Sequence, residues 1–83
     1  MEIKVERTPN PAAMKFTVGE PVGGPATFTA ADSADERIAP ILELEGVRSI
    51  FMTADFITVS GSDDIDWDTV VPSVVSTLES GFG

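Results

Sequence analysis

Three aspartates in "SDDIDWD" have the spacing in this chain that comes nearest to a metal site. Asp64, Asp66 and Asp68 stand at D-x-D-x-D spacing, as an EF-hand calcium loop begins. That loop also needs glycine at its sixth position and glutamate at its twelfth, where this chain has Thr69 and Val75. The pattern predicts a capped helix start instead, its carboxylates set at the positive end of the helix dipole. The glycines of "GEPVGGP" do not make a phosphate loop, because no Gly-Lys-Ser/Thr follows them. They read as a flexible connector.

Absent residue types exclude more than these motifs do. The chain has no cysteine, histidine or tyrosine. Disulfides, thiolate-held zinc, cysteine-held iron–sulfur clusters and Ser-His or Cys-His nucleophile pairs are therefore ruled out within it. Any acid–base chemistry would have to run on carboxylates, hydroxyls and two lysines. The expectation is a protein that is not an enzyme and carries no metal or cofactor.

Charge narrows the partners. Fourteen acidic residues face five basic ones, for a formal net charge of −9. Such a field repels phosphate backbones and anionic lipids, which argues against nucleic acid and membranes as partners. Lys4, Arg7 and Lys15 fall within the first sixteen residues; from Thr17 onward only Arg37 and Arg48 stand against twelve acidic residues. A protein partner remains the expected class. "EIKVER" after Met1 lacks the apolar run of a signal peptide, and the other apolar runs are short, so the expected location is the cytoplasm.

Positioning falls to elements legible from periodicity. "EIKVER" and "MKFTV" alternate polar and apolar with a period of two and predict an antiparallel strand pair joined across residues 9–12. Residues 19–32 read as a loop with a short extended piece around Thr27 to Thr29. Ser33 and Glu36 have capping-box spacing before Ile38, Ile41 and Leu42. A helix is expected roughly over 35–45, either kinked by Pro40 or starting later than the box suggests, with Gly46 closing it in a left-handed turn. Residues 47–60 predict a hairpin. A three-residue loop at 53–55 would place Val47, Phe51, Ile57 and Val59 on one face, whereas a two-residue loop would gather Ile50, Ile57 and Val59. The first collects the more apolar face and is the expectation, with one or both of Phe51 and Phe56 in the core rather than forming an exposed patch. Trp67, Val70, Val71, Val74, Val75, Leu78 and Phe82 form one apolar helical stripe. Asp66 is its N-cap, Ile65 a hydrophobic staple on Val70, and Pro72 a source of bending. The fold class is α+β: a two-layer ββαββα domain over residues 1–83, two helices on one face of a four-stranded, mainly antiparallel sheet.

Several segments, in order, resemble the N-terminal domain of NifU-like (Nfu) iron–sulfur scaffold proteins. "TPNP" followed by "KF" resembles that domain's opening signature, "GEPV" its next loop and "LELEGVRSIF" its first helix end and third strand. "ADFITVS" resembles its fourth strand and "DIDWDTVVP" the start of its last helix, with Trp67 and Pro72. Ala12 and Pro40 depart from the pattern. The resemblance implies the same ββαββα fold. It also implies that the family's C-x-x-C cluster ligands, carried by a second domain, have no counterpart here. What carries over is an accessory, protein-contacting role in cluster assembly or delivery.

The candidate binding edge is Arg7, Thr8, Pro9, Asn10 and Pro11, with Lys15 nearby: stiff backbone beside the chain's one local excess of cations. Pro9 and Pro11 bias Thr8 and Asn10 towards extended geometry, and Asn10 suits the first position of a type I turn with Pro11 second. Asn10 is thus a corner residue, a partner contact, or both. The rival reading is a structural or self-associating domain unconnected with iron–sulfur chemistry.

Overall fold

The alternating stretches become strands and the apolar stripe becomes a helix in a computed structural model that describes residues 2–82. The elements are β1 (Lys4–Arg7), β2 (Ala13–Thr17), β3 (Ala26–Phe28), α1 (Ala39–Leu42), β4 (Val47–Thr53), β5 (Phe56–Gly61) and α2 (Trp67–Phe82). The sheet is antiparallel throughout, in the order β1-β2-β5-β4-β3. It has five strands rather than four, because the extended piece expected near residues 27–29 pairs with β4 as β3.

Cross-strand register explains the core. Val5, Phe16, Ile57, Met52 and Ala26 form one inward row, and Met14, Val59, Ile50 and Phe28 the next. Phe16, Ile57, Val59 and Ile50 are fully buried, and they pack with Ile38, Ile41, Val74 and Leu78 from the helical layer in one core. Alternation delivers the strand residues to that layer, and a spacing of three to four residues delivers Val70, Val74 and Leu78 from α2.

The β4–β5 hairpin corrects the expected register. Its loop has two residues, with Thr53 opposite Phe56 and Met52 opposite Ile57. Phe51 therefore faces outward, 40% exposed, and Phe56 shares that outer face. A β-bulge between Val47 and Ser49 is the physical reason the alternation misleads. An extra residue resets the parity, so Val47 packs on the core although Ile50 and Met52 have the opposite phase. Ala54 adopts φ +50 in the turn. Its carbonyl accepts from the Val22 N–H at 2.9 Å, and the Asp55 carbonyl from the Val18 N–H at 2.8 Å, so residues 18–22 hold the turn in place.

Helix α1 takes the later of the two expected starts and is shorter than residues 35–45. It starts late, at Ala39, with Pro40 in its first turn, where a missing N–H costs nothing. The capping box does not form: Ser33 Oγ donates back to the Ala30 carbonyl at 3.1 Å. Asp35 organises the entry instead, its Oδ1 accepting from the Arg37 N–H at 2.9 Å. Gly46 has the expected positive φ, +91, but makes the turn into β4, where a Cβ would meet Ile65 at 3.0 Å. Helix α2 is capped by Asp66 as expected, through Asp68 N–H at 3.2 Å and Thr69 Oγ1 at 2.8 Å, and runs on through Pro72.

Candidate partner-binding site

Between β1 and β2 the chain reverses through a turn tied by its own side chains. The Ala13 N–H donates to the Asn10 carbonyl at 3.0 Å, closing a β-turn with Asn10 first and Pro11 second, as expected. Asn10 Oδ1 accepts from the Ala12 N–H at 2.9 Å. Thr8 Oγ1 accepts from the Asn10 N–H at 3.1 Å, and its one proton is shared between the carbonyls of Asn10 at 2.8 Å and Ala13 at 3.1 Å. Each short polar side chain thus satisfies backbone groups that a two-proline segment would otherwise leave to water. The Asn10 carboxamide oxygen is engaged in the corner.

Trp67, the first residue of α2, closes the site from the other end of the sequence. Its Nε1–H donates to the Pro11 carbonyl at 3.1 Å. Residues 7–11, Met14 and Trp67 then line a cleft of about 170 Å3. Met14 and Trp67, only partly buried against the core, and the two prolines give it an apolar side, with Thr8 and Asn10 also on the lining. Its single charge is Arg7, exposed at the end of β1. Among the described residues the Arg7 guanidinium has no ion pair and no hydrogen bond.

The structure therefore brings together Arg7, Thr8, Pro9, Asn10 and Pro11 but sets Lys15 apart. Lys15 pairs with Thr58 and Glu6 on the open sheet face, its Nζ 4.5 Å from the centre of the Phe56 ring. Met14 and Trp67 are the residues that sequence reasoning placed only in the core. The signal for Trp67 was an indole N–H on an otherwise aliphatic stripe, since a half-buried indole seeks an acceptor. Nothing local indicates that the acceptor lies fifty-six residues away.

The aspartates behave as a helix start. Asp66 is spent on its cap, and Asp64 accepts from Ser62 Oγ at 2.8 Å, a bond that holds the Asp64 carboxyl below its ordinary pKa. Among the described residues no three His, Cys, Asp or Glu side chains gather so as to hold a metal ion. With no cysteine or histidine in the sequence either, these residues do not fit an iron–sulfur cluster. A larger groove of about 460 Å3 lies beside this segment, lined by Glu45, Asp64, Asp66 and hydroxyl side chains. No helix among the described residues is long and apolar enough to cross a membrane.

Comparison with known proteins agrees with this geometry. The family model described as "Scaffold protein Nfu/NifU N terminal" matches residues 3–82. The chain is 35% identical to NifU-like protein 5, mitochondrial, of Arabidopsis thaliana, over 94% of this chain and 30% of that protein. It is 33% identical to the NFU1 iron-sulfur cluster scaffold homolog, mitochondrial, of Homo sapiens, over 99% of this chain and 34% of that protein. It thus spans about a third of these relatives' length. Among solved structures, protein SAV1430 from Staphylococcus aureus superposes with a TM-score of 0.73 at 38% identity, covering all of both chains. The match over residues 3–82 and these relatives carry one assignment: the chain belongs to the Nfu/NifU scaffold protein N-terminal family.

Proposed function

We propose that this chain is a non-enzymatic docking module of iron–sulfur cluster assembly or delivery, engaging a protein partner while the cluster, as cargo, is held elsewhere. The observation that carries this reading is the family match over residues 3–82. Cluster iron is held by thiolates, and this chain has none, so its contribution is contact rather than ligation. The edge formed by Arg7, Thr8, Pro9, Asn10 and Pro11 is the docking surface. A turn fixed by internal hydrogen bonds loses little entropy on binding, and its cation stands out in a field of −9. Lys15, on the opposite sheet face beside Phe56, lies outside this surface. The test is affinity capture from the source cells with the chain as bait. Retention of assembly proteins or cluster-receiving clients is the expected result; retention of none would end the assembly role.

A further inference from the structure

Resting on the docking reading above, the geometry points to the recognition element of the partner. That element is an extended protein segment that lies along the free edge of β1, places one apolar side chain in the cleft and sets a carboxylate two positions further on, on the same face, against Arg7.

Size selects a side chain. Small-molecule sites run to roughly 300–1,000 Å3, and this cleft of about 170 Å3 falls short of that while leaving room for a single aliphatic or aromatic group. Its walls of Met14, Trp67 and two prolines reward apolar contact. They are stiff, because the Trp67–Pro11 bond and the Thr8 and Asn10 turn bonds already fix them.

Backbone geometry selects an extended chain. β1 is an outermost strand, paired only with β2, so one side of it offers the hydrogen-bonding groups that strand addition uses. Arg7 is both the last residue of β1 and the rim of the cleft. A strand laid along β1 therefore runs straight into it. The opposite edge, β3, has three residues, and none of them lines this cleft.

Charge selects the second side chain. Arg7 is the cleft's only charged group, and its guanidinium has no partner among the described residues. Elsewhere the surface is dominated by carboxylates, the larger groove with Glu45, Asp64 and Asp66 included. An anionic segment is repelled from most of the molecule and finds complementarity here.

The probe is a capped hexapeptide, Thr-Val-Thr-Leu-Thr-Asp, titrated into the intact chain. Amide NMR shifts provide the map, and fluorescence of Trp67, the single tryptophan, provides the affinity. Saturable binding is expected, with shifts confined to the amides of residues 4–8, 10, 14 and 67. Changing the peptide's Asp to Asn, or the protein's Arg7→Gln, should each weaken binding roughly three- to tenfold, and the two changes together no more than either alone. A peptide N-methylated on alternate amides should lose binding through lost strand pairing. Equal affinity for the Asp and Asn peptides, shifts centred on Phe51 and Phe56, undiminished binding of the methylated peptide, or no binding at all would each overturn the inference. So would doubling of the chain's mass in solution that Arg7→Gln abolishes, because the edge would then be occupied by a second copy. The docking reading fails separately, when affinity capture retains no assembly protein. Retention of such a protein equally by wild type and Arg7→Gln sinks only the present inference.

Discussion

Two arginines at different places on this molecule do opposite things. Arg37, ahead of α1, is consumed internally. Its Nε donates to Asp35 Oδ1 at 3.0 Å and its Nη2 to Asp35 Oδ2 at 2.7 Å, while Nη2 also reaches the Val22 carbonyl at 3.1 Å. The guanidinium lies 4.3 Å from the centre of the Phe82 ring near the end of α2. One side chain thus clasps the 18–22 loop, the entry to α1 and the last turn of α2. Arg7 makes none of these bonds among the described residues. The difference is one of surroundings: a planar fork of donors is structural where a carboxylate and a carbonyl meet it, and remains open to a partner where the local walls are prolines, methionine and indole.

Removing the clasp should have the largest effect. Arg37→Ala should lower stability by about 2 kcal/mol, since two charge-assisted bonds, a carbonyl bond and a ring contact go together at a site only partly shielded from water. For a domain of this size that is roughly 10 °C in Tm by calorimetry. Arg37→Lys should recover less than half of the loss, because an ammonium cannot reproduce the bidentate fork.

Asp35→Asn should come next, and it carries a pH signature. The bond from Arg37 holds the Asp35 carboxyl below its ordinary value, and the same contact raises the Arg37 guanidinium. A depressed carboxylate contributes its full stability above the unfolded value of about 3.9 and loses it as pH falls through the folded value. The stability gap between wild type and Asp35→Asn should therefore be constant above about pH 5 and shrink below about pH 4. A gap that widened on acidification would mean the clasp is not electrostatic.

At the other arginine's corner, Asn10→Ala should cost about 1 kcal/mol by removing the bond to the Ala12 N–H, and should weaken partner binding only as far as the turn loosens. Loss of binding without loss of stability would move Asn10 from corner to contact. Smallest is Arg7→Gln, which should shift stability by less than about 0.5 kcal/mol. A drop comparable to that of Arg37→Ala would erase the contrast between the two residues.

Most of the fold was legible because period-two and period-3.6 patterns act locally. β1, β2, α2 and the Asp66 cap follow from residues within a few positions of one another. What was not legible depends on distant or single-residue events. The bulge at Val47 to Ser49 reverses the phase of β4, and no composition cue marks it. Pro40 permits either a kink or a late start, and the Asp35–Arg37 pair favours the late start. Residues near 27–29 become a fifth strand only because β4 has a free edge to receive them. At the candidate site the turn chemistry of Thr8, Asn10 and Pro11 could be read directly. The cleft could not, since Trp67 and Met14 reach it through the tertiary fold.

The hydrogen bond from Trp67 to Pro11 has a consequence in time as well as in space. A chain emerging from the ribosome makes the proline turn early, but the wall that turns it into a cleft arrives fifty-six residues later. Contacts between such distant segments are slow to form. A nascent chain without the first turn of α2 therefore carries the exposed arginine and the prolines but not the cleft, which closes only once α2 has joined the fold.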